Sequence, residues 1–170
     1  MIAKHESKSG SRLYNQFNPT GTKAELPNWG SPYGWGIAQI DKGLDGDTTA
    51  EVYNWHENIS SMNEKLKSAL NTYNRFVGYY RELYANDTST KWTEPDDVIA
   101  IVDGYEVSAK MWSVLTFYNG AGGCPRRYLA GAWRLVPLEF DPATTNWILY
   151  ANSQDYVNVT ILDRNQQGTE

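Results

Sequence analysis

Three stretches of this 170-residue chain carry side chains able to act on a covalent bond: His5-Glu6-Ser7, Gly34-Trp35-Gly36-Ile37-Ala38-Gln39-Ile40-Asp41, and Phe117-Tyr118-Asn119-Gly120-Ala121-Gly122-Gly123. Glu6 is the pivotal residue. A carboxyl group beside an apolar, glycine-lined cleft holds its proton at neutral pH and can deliver it to a bridging oxygen, the central requirement of glycosidic cleavage. Gly36 lets backbone come close to a ligand, Ile37 and Ala38 would pack beneath the cleft, and Gln39 offers both an amide donor and an acceptor. Taken singly, each stretch has a plainer meaning: a surface carboxylate at a helix end, a buried glycine-rich turn, and a helix C-cap.

Other chemistries find no footing in the sequence. His5 and His56 are isolated and have neither an HExxH pattern nor a cysteine partner, so no metal and no other cofactor is expected. There is no Gly-x-Ser-x-Gly elbow and no phosphate loop. Cys124 is the single cysteine, which rules out an internal disulfide and reads as a buried, unreactive thiol. A net charge of −5 argues against a phosphate-tracking surface, so nucleic acid is not an expected partner. No twenty-residue apolar run and no signal-peptide core occurs, so no membrane association is expected. Seven Trp and twelve Tyr exceed what a Leu and Val core requires. Each ring is more readily core than site, but Trp29, Tyr33 and Trp35 could stack on sugar rings.

The elements that must position these residues can be read from local signals. Residues 1–7 look like the end of a helix cut short, which leaves room for an upstream segment and for excision from a longer chain. Residues 8–32 have no sustained period and read as loop. Thr48 and Glu51 form a capping box that starts a helix. Val52, Trp55, Ile59, Met62, Leu66, Ala69, Tyr73, Phe76, Tyr80 and Leu83 then recur every three or four residues as one apolar stripe. Roughly thirty-six helical residues would extend ~54 Å, too long for a small domain, so a break is expected near Ser60-Ser61 or Gly78. Pro95 suits the first turn of a short helix through Val102. A turn at Asp103-Gly104 precedes a helix marked by Val107, Met111, Val114, Leu115 and Tyr118, closed by the glycines at 120, 122 and 123. Pro125, Pro137 and Pro142 interrupt the following stretch. Residues 153–162 suit helix or strand. The expected fold is mainly α, with at most a small β-hairpin or sheet in the region 10–47, and a single domain spans 1–170.

Taken together and in this order, the three stretches resemble the active-site segments of goose-type lysozymes and soluble lytic transglycosylases. Gly34 to Asp41 is similar, almost position for position, to the family's Gly-aromatic-Gly-Leu-Met-Gln-Val-Asp segment. Phe117 to Gly122 resembles its Ala-Tyr-Asn-Ala-Gly motif, His5-Glu6-Ser7 its Glu-Ser helix end, and Asn58-Ile59 its Asn-Ile on the intervening helix. The resemblance implies a lysozyme-like helical domain, favours helix for 153–162, and makes Glu6 the general acid. It implies a muramidase that cleaves the β-1,4 bond between N-acetylmuramic acid and N-acetylglucosamine. Asp41 would then position the attacking water, while Trp35, Gly36, Ile37, Gln39, Tyr118 and Asn119 would line the substrate or support the acid. One departure is that no Asp precedes Gly34, where the family offers further aspartates; Glu25 is the nearest acidic residue upstream. A lytic transglycosylase forming anhydro ends, or a wall-binding module that has lost catalysis, therefore stands beside the hydrolase. The expected partner is the peptidoglycan glycan strand, met by a monomer in the periplasm or cell wall, with room for an inhibitor or immunity protein. The route of export is not encoded in the chain; a longer exported protein, a secretion system or phage lysis would each supply one.

Overall fold

The computed structural model of the chain describes residues 29–30, 34–42, 46–84, 86–97, 99–102, 105–150 and 157. Its contacts divide the chain into two compact units, Met1–Lys65 with Gln166–Glu170, and Leu66–Asn165.

In the first unit, two short strands, β1 (Trp29–Gly30) and β2 (Gly34–Trp35), pair antiparallel with Trp29 opposite Trp35. This is the small hairpin expected before residue 47. Helix α1 (Thr49–Tyr53) starts as the sequence predicts: Thr48 Oγ1 accepts from the Glu51 amide at 3.2 Å and the Glu51 carboxylate accepts from the Thr48 amide at 2.9 Å. The two donors this box satisfies are among those every helix start leaves without intrahelical partners.

The helix breaks sooner than its length suggested. Asn54 adopts an extended conformation (φ −113°, ψ 113°) and separates α1 from α2 (Trp55–Tyr84). Its amide donates to Ala50 at 2.7 Å, closing α1, and its side-chain Oδ1 accepts from the His56 amide at 3.0 Å, opening α2. One residue thus serves as C-cap and N-cap. The 30 residues of α2 run on without a break at Ser60-Ser61 or Gly78. Serines are tolerated in a helix interior, and a single Gly costs only about 1 kcal/mol there. Of the apolar stripe, Ala69, Tyr73, Phe76 and Tyr80 are buried, whereas the end positions Trp55 and Leu83 are exposed.

The second unit departs further from a mainly α fold. Pro95 opens a 3-10 turn that lasts only to Asp97, and the expected helix through Val102 is instead strand β3 (Ile99–Val102). It pairs with β4 (Tyr105–Ser108) across the Asp103-Gly104 connection, with Val102 opposite Tyr105. Ser108 caps helix α3 (Ala109–Tyr118), accepting from the Met111 amide at 3.2 Å, so Val107 belongs to the preceding strand. Two hairpins follow where only proline interruptions were foreseen: β5 (Arg126–Leu129) with β6 (Ala132–Leu135), and β7 (Leu138–Asp141) with β8 (Asn146–Leu149). Pro125 and Pro137 stand just ahead of β5 and β7, and their carbonyls accept from Val136 and Tyr150 at 2.8 and 2.7 Å. Among the described residues the strands all lie in two-stranded antiparallel pairs beside the helices, so the architecture is mixed α and β. Residues 153–162 lie outside the described residues except Val157, which is buried.

Aromatic rings build the core of the second unit. Phe140 and Trp147 lie 5.3 Å apart, Trp92 packs against both at 5.2 and 5.5 Å, and Tyr80 and Tyr84 reach Trp147 and Phe140 at 5.4 and 5.1 Å. Val136, Leu138 and Leu129 fill the space around them. Trp147 is held by its indole N–H, which donates to the Thr93 carbonyl at 2.8 Å. Much of the aromatic excess is therefore structural. Among the described residues no helix is long and apolar enough to cross a membrane.

Candidate functional site

The segment Gly34 to Asp41 folds as a closed turn. Trp35 and Ile40 exchange both backbone hydrogen bonds at 3.0 Å, pinching off the four residues between them. Two of those four, Gly36 (φ 74°) and Gln39 (φ 45°), take left-handed backbone conformations. Gly36 does so without steric cost, whereas for Gln39 the conformation carries strain that the surroundings must hold. The Gln39 side chain supplies part of that support: its Nε2 donates to the Gly36 carbonyl at 2.7 Å. A Cβ on Gly34 would meet Gln39 Cβ and Oε1 at 3.1 Å, so the glycine gives room for this folded-back amide.

Asn58, fully buried in α2, fastens the turn from below. Its Oδ1 accepts the Ala38 amide at 2.8 Å, and its Nδ2 donates to the carbonyls of Trp35 and Glu51 at 2.8 and 3.1 Å. One side chain thereby ties the first residue and the interior of the turn to the Glu51 carbonyl of α1. Ile37, Ala38 and Ile40 are buried under the turn and pack with Ile59 and Met62 of α2. The Asn58-Ile59 pair is the physical mount of the glycine-rich segment. No local signal could reveal this, because the bond to Ala38 spans 20 residues.

Around this mount the charged groups are ordered by α1. Burial alone would push the Glu51 carboxyl up, but hydrogen bonds from Lys42, Ser61 and Thr48 outweigh it and hold the group at about 2. Asp47 shows the opposite balance: burial pushes its carboxyl above the ordinary range despite a bond from the Lys42 backbone, and its Oδ1 has no hydrogen-bond partner. Its neighbour Gly46 packs close on Lys42, with no room for a Cβ beside the Lys42 carbonyl. Asp41 emerges exposed at the end of the turn and, with Lys42, Ser60, Ser61, Glu64 and Lys65, borders an open groove of about 460 Å³. Trp29 stands beside Trp35 with ring centres 6.5 Å apart, its own ring 55% exposed.

The first unit thus brings Trp35, Gly36, Ile37, Gln39 and Asp41 together. Tyr118 and Asn119 belong to the second unit, at the end of α3: Tyr118 is buried, and Asn119 caps the helix with its amide donating to Leu115 at 3.0 Å. Gly120 follows at φ 85°, the left-handed stop that the glycines predicted. Glu6, like His5, Ser7, Glu25 and Tyr33, lies outside the described residues. Cys124 is buried, and burial pushes its thiol up, away from nucleophilic use. Among the described residues no group of three or more His, Cys, Asp or Glu is placed to hold a metal ion. Comparisons of the chain with protein-family models, curated proteins and solved structures find no match.

Proposed function

We propose that this chain is a peptidoglycan-cleaving glycosidase with a lysozyme-like, goose-type arrangement of its site. It would act on the β-1,4 bond between N-acetylmuramic acid and N-acetylglucosamine in the periplasm or cell wall, as a monomer. The observation that carries the reading is the Asn58 mount. Two segments that resemble the same family, Gly34 to Asp41 and Asn58-Ile59, are joined by the hydrogen bonds of Asn58 and the packing of Ile59 against the turn, which supports a shared role in shaping a cleft. A turn fixed by buried hydrogen bonds suits a site, because substrate-positioning groups lose effectiveness when they wander.

In this mechanism Glu6 gives its proton to the bridging oxygen as the bond to the anomeric carbon breaks. In the hydrolytic form, water adds to that carbon and leaves its proton on Asp41, which requires the two carboxyls to stand ~6.5–9.5 Å apart. A second form needs no second carboxylate. There a hydroxyl of the sugar itself closes on the anomeric carbon, and Glu6, having lost its proton, takes one back from that hydroxyl. Both forms use one acid; they differ in the product, a reducing end or an anhydro sugar.

The test is Glu6→Gln, assayed by turbidity loss of purified cell walls with circular dichroism to follow the fold. Loss of a general acid is expected to lower the rate by about 10²- to 10⁴-fold. A variant that lyses walls at the parental rate removes the assignment. Mass spectrometry of the products separates hydrolysis from anhydro-sugar formation.

A further inference from the structure

We propose that the outer face of the β5–β6 hairpin, centred on Tyr128 and Trp133, is a stacking surface for an anionic wall glycan, an inference that rests on the peptidoglycan reading above. Tyr128 and Trp133 face each other across the two strands with ring centres 5.8 Å apart, and they remain 63% and 69% exposed. Large rings in such a place add nothing to the core, which Leu129 serves from the opposite face of the same strand. The two rings meet edge to face at 67°, and each exposed ring offers an apolar face with a polar edge, the surface that the C–H face of a pyranose ring fits.

Charge selects the kind of glycan. Residues 126–135 contain three Arg and no acidic residue, in a chain of net charge −5. Arg127 is bound to Glu139 by two hydrogen bonds of 2.6 and 2.9 Å, and Arg134 lies over the Tyr79 ring at 4.8 Å. Arg126 is exposed, and strand alternation sets it on the same face as Tyr128. A cation beside two stacking rings complements a polymer whose sugars and peptide stems carry carboxylates, and a neutral glycan would not use it. Ala130 and Gly131 both take left-handed conformations (φ 48° and 76°), the tight two-residue turn that matches the twist of a hairpin. Beside it, an open recess of about 250 Å³ is bordered by Tyr79, Glu82, Leu83, Tyr128, Leu129 and Ala130, so the cationic side of the surface is the Arg126 side and not the recess.

The experiment is co-sedimentation of the full chain, carrying Glu6→Gln so that the polymer survives, with purified peptidoglycan sacculi and with chitin. Trp133→Ala and Tyr128→Ala are each expected to weaken binding to sacculi about fivefold or more, as loss of an aromatic anchor does, with thermal unfolding unchanged because both rings are exposed. Arg126→Glu should weaken binding to sacculi and leave chitin binding as it was. Unchanged sacculus binding in all three variants overturns the proposal, as does an absence of sacculus binding in the parent. Equal loss on chitin and sacculi with Arg126→Glu overturns the anionic preference. A dimer in sedimentation velocity that Trp133→Ala dissociates also overturns it, the rings then being a self-contact. The two readings fail separately: Glu6 is read by lysis, the hairpin by binding. Lysis that survives Glu6→Gln alongside binding that depends on Trp133 would sink the enzyme and keep the surface.

Discussion

The turn at residues 34–41 and the aromatic core around Trp147 are held by different physics. The core is a mesh of rings and aliphatic side chains in which each member touches several others, and its stability is distributed. The turn has only a small apolar underside, Ile37, Ala38 and Ile40, and owes its shape to a handful of directed hydrogen bonds that converge on Asn58. Apolar burial scales with area and is forgiving of direction, whereas a buried hydrogen bond has one geometry and leaves a costly orphan when a partner is removed. A site needs the second kind of order, and a scaffold can live on the first.

Several variants would break or sharpen this contrast. Trp147→Ala should have the largest effect, about 3–5 kcal/mol of stability lost as a cavity opens among Tyr80, Trp92 and Phe140; urea denaturation measures it. Asn58→Leu comes next, with about 1–3 kcal/mol for the buried Ala38 amide that it strands, the Trp35 carbonyl keeping its bond from the Ile40 amide. Because leucine is apolar and similar in size, a loss near zero in the same denaturation would show that the turn rests on its apolar underside instead.

Acid should separate the regions further. Glu51 is held at about 2 in the folded chain against an ordinary 4.5, so its contribution is fully present above about 4.5 and is lost as pH falls toward about 2. Glu51→Gln should flatten that part of the pH profile of thermal unfolding, and an unchanged profile would mean that Lys42, Ser61 and Thr48 do not hold the carboxylate. The smallest effect is expected from Asn54→Ala, about 1 kcal/mol for loss of the cap between α1 and α2, read by thermal melting.

What the sequence disclosed and what it withheld follow the range of the interactions. The Thr48–Glu51 box, the stripe of α2 and the glycine stop at 120 were legible, because each is decided within three or four residues. The break at Asn54 also had a local mark, an Asn three positions ahead of Glu57, which the longer apolar period concealed. Pro95 suggested a helix where a strand forms. The neighbouring Asp103-Gly104 is a strong hairpin signal when it lies between apolar runs, and here the pairing across it prevails. The β5–β6 and β7–β8 hairpins were hidden because their prolines read as interruptions and not as strand entries. In the candidate site, Gly34 to Asp41 was recognisable by its composition, but the fastening by Asn58 was not, since no short window contains both partners.

The amide hydrogen of Ala38 is buried and bonded to a side chain from a different element. For deuterium to replace it, the turn must part from the helix, so its exchange rate counts those openings directly. A single cross-peak in a nitrogen-15 spectrum would therefore report, under any buffer, variant or added sugar, whether the glycine-rich turn stays seated on its helix.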